Sequence, residues 1–170
     1  NQTKSYLKNP QPVSDNLLYG EFHENSKHTT RMPYMKPVYD VLEKNRGKVI
    51  YFDFWARWCP PCLAEMEPLK QLRSKFSTDD LIIYSICVSE PKEQWEECLN
   101  EYSLKNRGIE CVHVTDYLGI DNYQKIRKQW KIDRMPYYVL INRKGQIIDF
   151  GTAARPSNPQ LVSRIEEAVK

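Results

Sequence analysis

No run of apolar residues in this chain of 170 approaches the roughly 18 that a membrane-spanning helix requires, so no span is expected within it. The opening NQTKSYLKNP lacks the basic and apolar stretches of an export signal, and it lacks an initiating Met. An export signal, membrane anchor or fused domain upstream would therefore leave no mark on this sequence. Neither sign of charge dominates. The 25 Lys and Arg residues against 22 Asp and Glu leave a net +3 spread along the chain, with no basic stripe, so nucleic acid is not an expected partner. The aromatic residues, 12% of the chain, are then expected in the core and in a groove rather than as a stacking platform for bases. Cysteine is scarce and irregularly spaced, at 59, 62, 87, 98 and 111, which excludes a small disulfide-stapled scaffold. With 41% hydrophobic residues, the chain can bury one core and carry an appendage, but cannot build two full domains.

Residues 1–33 are polar, with Pro10, Pro12 and Pro33 and brief apolar touches at Leu17, Leu18, Tyr19 and Phe22. They read as an N-terminal arm or linker, and residues 34–170 as the folded domain. Within that domain Val38, Val41 and Leu42 share a helical face that stops at Arg46-Gly47. KVIYFDFW (48–55) follows as a strand apolar enough to be covered on both faces. Leu63, Met66, Leu69, Leu72 and Phe76 then recur at helical spacing, with Pro68 inside as a kink. LIIYSICV (81–88) is a second buried strand. Trp95, Cys98, Leu99 and Tyr102 mark a helix, CVHV (111–114) a short strand, and Tyr123, Ile126 and Trp130 another helix. YYVLI (137–141) and QIIDFG (146–151) form a hairpin across Asn142–Gly145, and Asn158-Pro159 starts a last helix on Leu161, Val162, Ile165 and Val169. The alternation predicts an α/β fold with a central mixed sheet flanked by helices.

WARWCPPC (55–62) places two cysteines between the first strand and its helix. A structural zinc site needs about four ligands. No second Cys pair exists, and His23 and His28 lie in the polar arm, so metal is not expected. A purely structural disulfide over so short a loop would remove little chain entropy. Redox exchange fits best. A cysteine at a strand-to-helix junction has the helix dipole and free N–H groups to hold a thiolate. This makes Cys59 the nucleophile and Cys62, one turn on, the resolving thiol. Pro60 and Pro61 carry no N–H, so the thiolate loses two donors and the pair is expected to be reducing. Arg57 is expected to be solvated and to add little. Asp53, in mid-strand, is costly to bury, should titrate high, and is a candidate to relay the proton of Cys62; the alternative is that it reaches water or pairs with a Lys. Met135-Pro136 precedes a strand, where proline marks a turn and a cis bond is a minority outcome. Cys87, Cys98, Cys111 and His113 read as core residues, with a Cys98–Cys111 bridge as the alternative in an oxidising compartment.

DFWARWCPPC with its helix, and MP ahead of a strand and hairpin, resemble the thioredoxin superfamily. GKVIYFDFWARWCPPCLAEM, the helix and strand inserted between Val88 and Val114, and INRKGQII resemble its TlpA/ResA-like branch of envelope thiol–disulfide oxidoreductases, over residues 35–170. The resemblance implies a thioredoxin fold with an extra helix-strand insertion. It implies a protein-disulfide reductase that needs no cofactor beyond its redox-active disulfide. Catalytic residues would be Cys59, Cys62 and Asp53. Trp58, Met135, Pro136 (as a cis-proline) and Tyr137 would line the substrate groove. Disulfide-containing proteins would be substrates, an upstream thiol donor would reset the pair, and the setting would be the periplasm or cell envelope, with the cytoplasm as the alternative. Two features depart from the branch: Pro68 stands one residue late, and residues 1–33 do not resemble its N-terminal hairpin. The alternatives are a disulfide oxidase or isomerase, and a redox-independent module that binds peptides in the same groove.

Overall fold

In the computed structural model, which describes residues 11–12 and 33–170, the sheet runs in the order β1-β6-β5-β2-β3-β4. The strands are β1 (Gln11–Pro12), β2 (Val49–Trp55), β3 (Leu81–Cys87), β4 (Ile109–His113), β5 (Tyr137–Ile141) and β6 (Gln146–Gly151). The polar arm expected over residues 1–33 lies outside the described residues except at three places: its last residue, Pro33, and Gln11 and Pro12, which pair antiparallel with Ile147 and Gln146. β2, β3 and β4 are parallel, and β5 returns antiparallel on the other side of β2, so the sheet is mixed. β2 is its centre, and all seven of its residues are buried, as its unbroken apolar character requires.

The two-residue period of β2 sorts the core. Ile50, Phe52 and Phe54 face one helical layer, formed by α1 (Lys36–Lys44) and α6 (Ile120–Gln129) through Val38, Val41, Tyr123 and Ile126. Trp130, just past α6, sets its ring edge-on to both Phe52 and Phe54 at 6.0 Å. Val49, Tyr51, Asp53 and Trp55 face the other layer. It contains α2 (Pro60–Ala64), α3 (Met66–Lys75), α4 (Lys92–Glu101) and α7 (Pro159–Val169). A four-residue α5 (Val114–Tyr117) leaves β4 directly, capped by the His113 ring, which accepts from Thr115 N–H.

The helix expected after the cysteines is two helices. Pro68 has no N–H to bond the Ala64 carbonyl one turn back, so the break falls at Glu65, three residues before the proline. Asn158 caps α7 as its sequence suggests, its Oδ1 accepting from Gln160 N–H at 3.0 Å. Arg73 on α3 is 5% exposed and donates to the carbonyls of Leu81 and Phe76 at 2.6 and 2.9 Å, tying the end of α3 to the start of β3. Arg73→Leu strips these buried carbonyls of their donors. Urea unfolding should show a loss of about 3 kcal/mol; a loss below about 0.5 kcal/mol would mean that water replaces the guanidinium without cost.

Candidate redox site

Cys59 terminates the loop that leaves β2, and it is the N-cap of α2, with extended backbone. Its sulfur accepts from the Cys62 N–H at 3.3 Å. Pro60 and Pro61 fill the first two helical positions and contribute no donor, so Cys62 supplies the N–H that reaches this sulfur. The two cysteines form a disulfide with Cα atoms 5.3 Å apart. Both are buried, 4% and 2% exposed, in a cluster with Trp55, Ala56, Met66, Cys87, Trp95 and Cys98. Trp58, the residue before, is the opposite case at 66% exposed. The approach loop is fixed by a Cys59 N–H bond to the Ala56 carbonyl at 3.2 Å and by Arg57 N–H donating to Ser89 Oγ at 2.9 Å.

Asp53 lies two strand residues before Trp55, so it points into the layer that holds α2 and α3. The register places it in a row with Tyr138 of β5, Ser85 of β3 and Cys111 of β4. It is 4% exposed, and its Oδ1 has no hydrogen-bond partner among the described residues. Burial pushes its carboxyl up to about 8, the charge of Glu65 adds to the rise, and the Ser85 hydroxyl offsets part of it. Ser85 also accepts from Trp55 Nε1 at 2.9 Å, so one hydroxyl serves both buried residues.

Met135 packs against the cluster that contains both cysteines, and the Met135–Pro136 bond is cis. The Pro136 carbonyl accepts from Thr152 Oγ1 at 2.9 Å. Tyr137 stands apart from the groove expected for it. It is 4% exposed, belongs to the core on the other face of the sheet, and spends its hydroxyl on the Trp130 carbonyl. The strand alternation that follows Pro136 turns it inward. Cys87, Cys98 and Cys111 are free thiols, and Cys111 is only partly buried, unlike the fully buried residue expected. Its Sγ donates to the Leu104 carbonyl at 3.8 Å, and burial pushes it up to about 11, which keeps it protonated. No group of three or more metal-ligating side chains occurs among the described residues.

Sequence reasoning missed Glu65. It sits one turn after Cys62, accepts from both the N–H and hydroxyl of Ser157, and acts on Asp53. An acid three residues after the second cysteine was the available signal. Ser89 was also missed, and a buried serine just past a strand gives none.

The Redoxin family profile matches residues 36–169. The "Thiol-disulfide oxidoreductase ResA" of Bacillus thuringiensis is 26% identical over 108 residues, covering 64% of this chain. The chain spans only 57% of that relative's length. A solution structure from Bacteroides vulgatus, assigned as a thiol-disulfide oxidoreductase, is 32% identical with a TM-score of 0.59, covering 74% of this chain and 76% of that one. The thioredoxin domain of a thiol-disulfide oxidoreductase from the same organism superposes with a TM-score of 0.63 at 22% identity, covering 76% and 84%. This likeness shows the thioredoxin fold.

Proposed function

This chain belongs to the Redoxin family, in its TlpA/ResA-like branch, and we propose that it is a thiol–disulfide oxidoreductase that reduces disulfides in other proteins. One observation carries the reading. Cys59 and Cys62 are disulfide-bonded at the junction of a fully buried strand and a helix start, in the layer toward which Asp53 points.

In the reduced protein the Cys59 thiolate attacks one sulfur of a substrate disulfide. A mixed disulfide forms, and the other substrate sulfur leaves as a thiolate. Cys62 then gives its proton to the Asp53 carboxylate and attacks Cys59 Sγ. The Cys59–Cys62 bond forms, the second substrate thiolate leaves, and two electrons have passed to the substrate. A carboxyl titrating near 8 is matched to a thiol, so the proton can pass in either direction at little cost. A thiol donor upstream reverses the sequence to restore the dithiol. Trp58, Met135 and cis-Pro136 form the groove in this scheme; Tyr137 supports it from the core. The domain comprises residues 34–170. No helix among the described residues is long and apolar enough to cross a membrane. The setting we assign is the exported cell envelope, where surroundings that oxidise thiols give a dedicated reductase its work.

The test is reduction of insulin disulfides with dithiothreitol as donor. The reading expects turnover above the rate of dithiothreitol alone. Peptide binding with no such turnover, unchanged by Cys59→Ala, would establish the redox-independent module instead.

A further inference from the structure

Beside the dithiol lies a cavity of about 480 Å³. Its lining joins residues that flank the redox pair, Arg57 and Leu63, to Gln94, Glu97 and Glu101 of α4 and to Tyr102. It is thus built between the CPPC loop and the inserted helix, and Met135, Pro136 and Tyr137 take no part in its wall.

Three features mark it as a place for a ligand. First, Arg57 is held at its main chain. Its N–H donates to Ser89 Oγ at 2.9 Å, and Ser89 is itself anchored because its carbonyl accepts from His113 Nε2 at 2.8 Å. The sequence suggests a solvated Arg57. In the fold its Nε is shut off from solvent and has no hydrogen-bond partner among the described residues. With Nε buried, the guanidinium is part of the cavity wall rather than a freely solvated charge. Second, neither Glu97 nor Glu101 enters an ion pair among the described residues, although both are exposed on the same helix. Lys70, which reaches the end of α4 at the Tyr102 carbonyl, is paired with Glu67 instead. Third, one guanidinium against two carboxylates leaves the rim with a single net negative charge.

We propose that this cavity is a substrate subsite, which receives a basic residue beside the reacting cysteine of the substrate protein. Its cationic side chain meets Glu97 and Glu101, while Arg57 and Leu63 form the wall on the side of the redox pair. The inference rests on the reading of the chain as a thiol–disulfide oxidoreductase and adds the class of substrate segment that it selects. Because the carboxylates are exposed, the preference is modest and screened by salt.

The experiment uses two disulfide-linked model peptides, identical except for Lys or Glu next to the cysteine, reduced by the dithiol form of the full chain. The expected kcat/KM favours the Lys peptide by about fivefold at low salt, falling toward parity at about 1 M salt. The double variant E97Q/E101Q should bring the low-salt ratio close to one. Should that variant fail to fold, the salt dependence of the parent chain decides the matter. Equal rates for the two peptides, or a preference for Glu, overturn the subsite while leaving the oxidoreductase reading intact. Failure of the parent chain to reduce either peptide overturns both.

Discussion

Cys59→Ser should reduce disulfide turnover to the rate of the buffer thiol alone, while Cys62→Ser should accumulate a covalent adduct with substrate that dithiothreitol releases. The two variants differ because the proposed mechanism gives the two sulfurs different tasks. Cys59 caps α2 and follows a loop bearing the exposed Trp58, and in that mechanism it is the attacking sulfur. Cys62 lies one turn further along the helix, within disulfide distance of Cys59, and in that mechanism it attacks what Cys59 already holds. Removing the first stops the reaction before any bond forms. Removing the second leaves the mixed disulfide with no internal thiol to resolve it, so the adduct should appear as a mass shift equal to the substrate's. Insulin reduction at the parent rate by either variant would contradict these assignments.

Asp53→Asn should make the protein both more stable and slower. Asp53 titrates at about 8 in the fold against 3.8 as a free side chain. Below pH 4 it is protonated in both states and costs nothing. As pH rises through 4 the unfolded chain ionises while the folded chain holds its proton, so stability falls steadily until the folded carboxyl also ionises near 8. At about 1.36 kcal/mol per unit, the cost at pH 7 is on the order of 4 kcal/mol. Asn removes the ionisation and keeps the shape. Chemical unfolding should therefore show a gain of about 2 to 4 kcal/mol at pH 7 that vanishes as pH falls toward 4. The same variant has no carboxylate to take the Cys62 proton, so resolution should slow by about a hundredfold, and the rise in rate through pH 8 should disappear. Glu65→Gln is the companion: it removes a charge that raises Asp53, so the rise should move to lower pH. A gain in stability with unchanged kinetics would make Asp53 a structural burden with no part in exchange.

Much of this site is legible because its chemistry and its local structure share the same residues. An unbroken apolar strand, two cysteines and two prolines specify where Cys59 sits, and the hairpin strands at 137–141 and 146–151 fall where alternation and the Asn142–Gly145 turn put them. What is not legible depends on partners distant in sequence. Arg73 reads as a surface residue of an amphipathic helix until the Leu81 and Phe76 carbonyls are in place around it. Tyr137 is adjacent to Pro136 in sequence, yet the strand period sends it to the opposite face of the sheet. Ser89 and Arg57 acquire their meaning across 32 residues, through a hydrogen bond that no local pattern encodes. The short α5, four residues long, is too brief for helical periodicity to register.

The most direct test of the central claim is the reduction potential of the Cys59–Cys62 pair, from equilibration in graded thiol buffers and counting of alkylated cysteines. With two prolines at the helix start and Cys62 N–H left to reach the Cys59 sulfur, the dithiol should be a reductant, at about −250 mV or below. A value near −120 mV, at roughly the DsbA end of the scale, would contradict it and make the protein an oxidant.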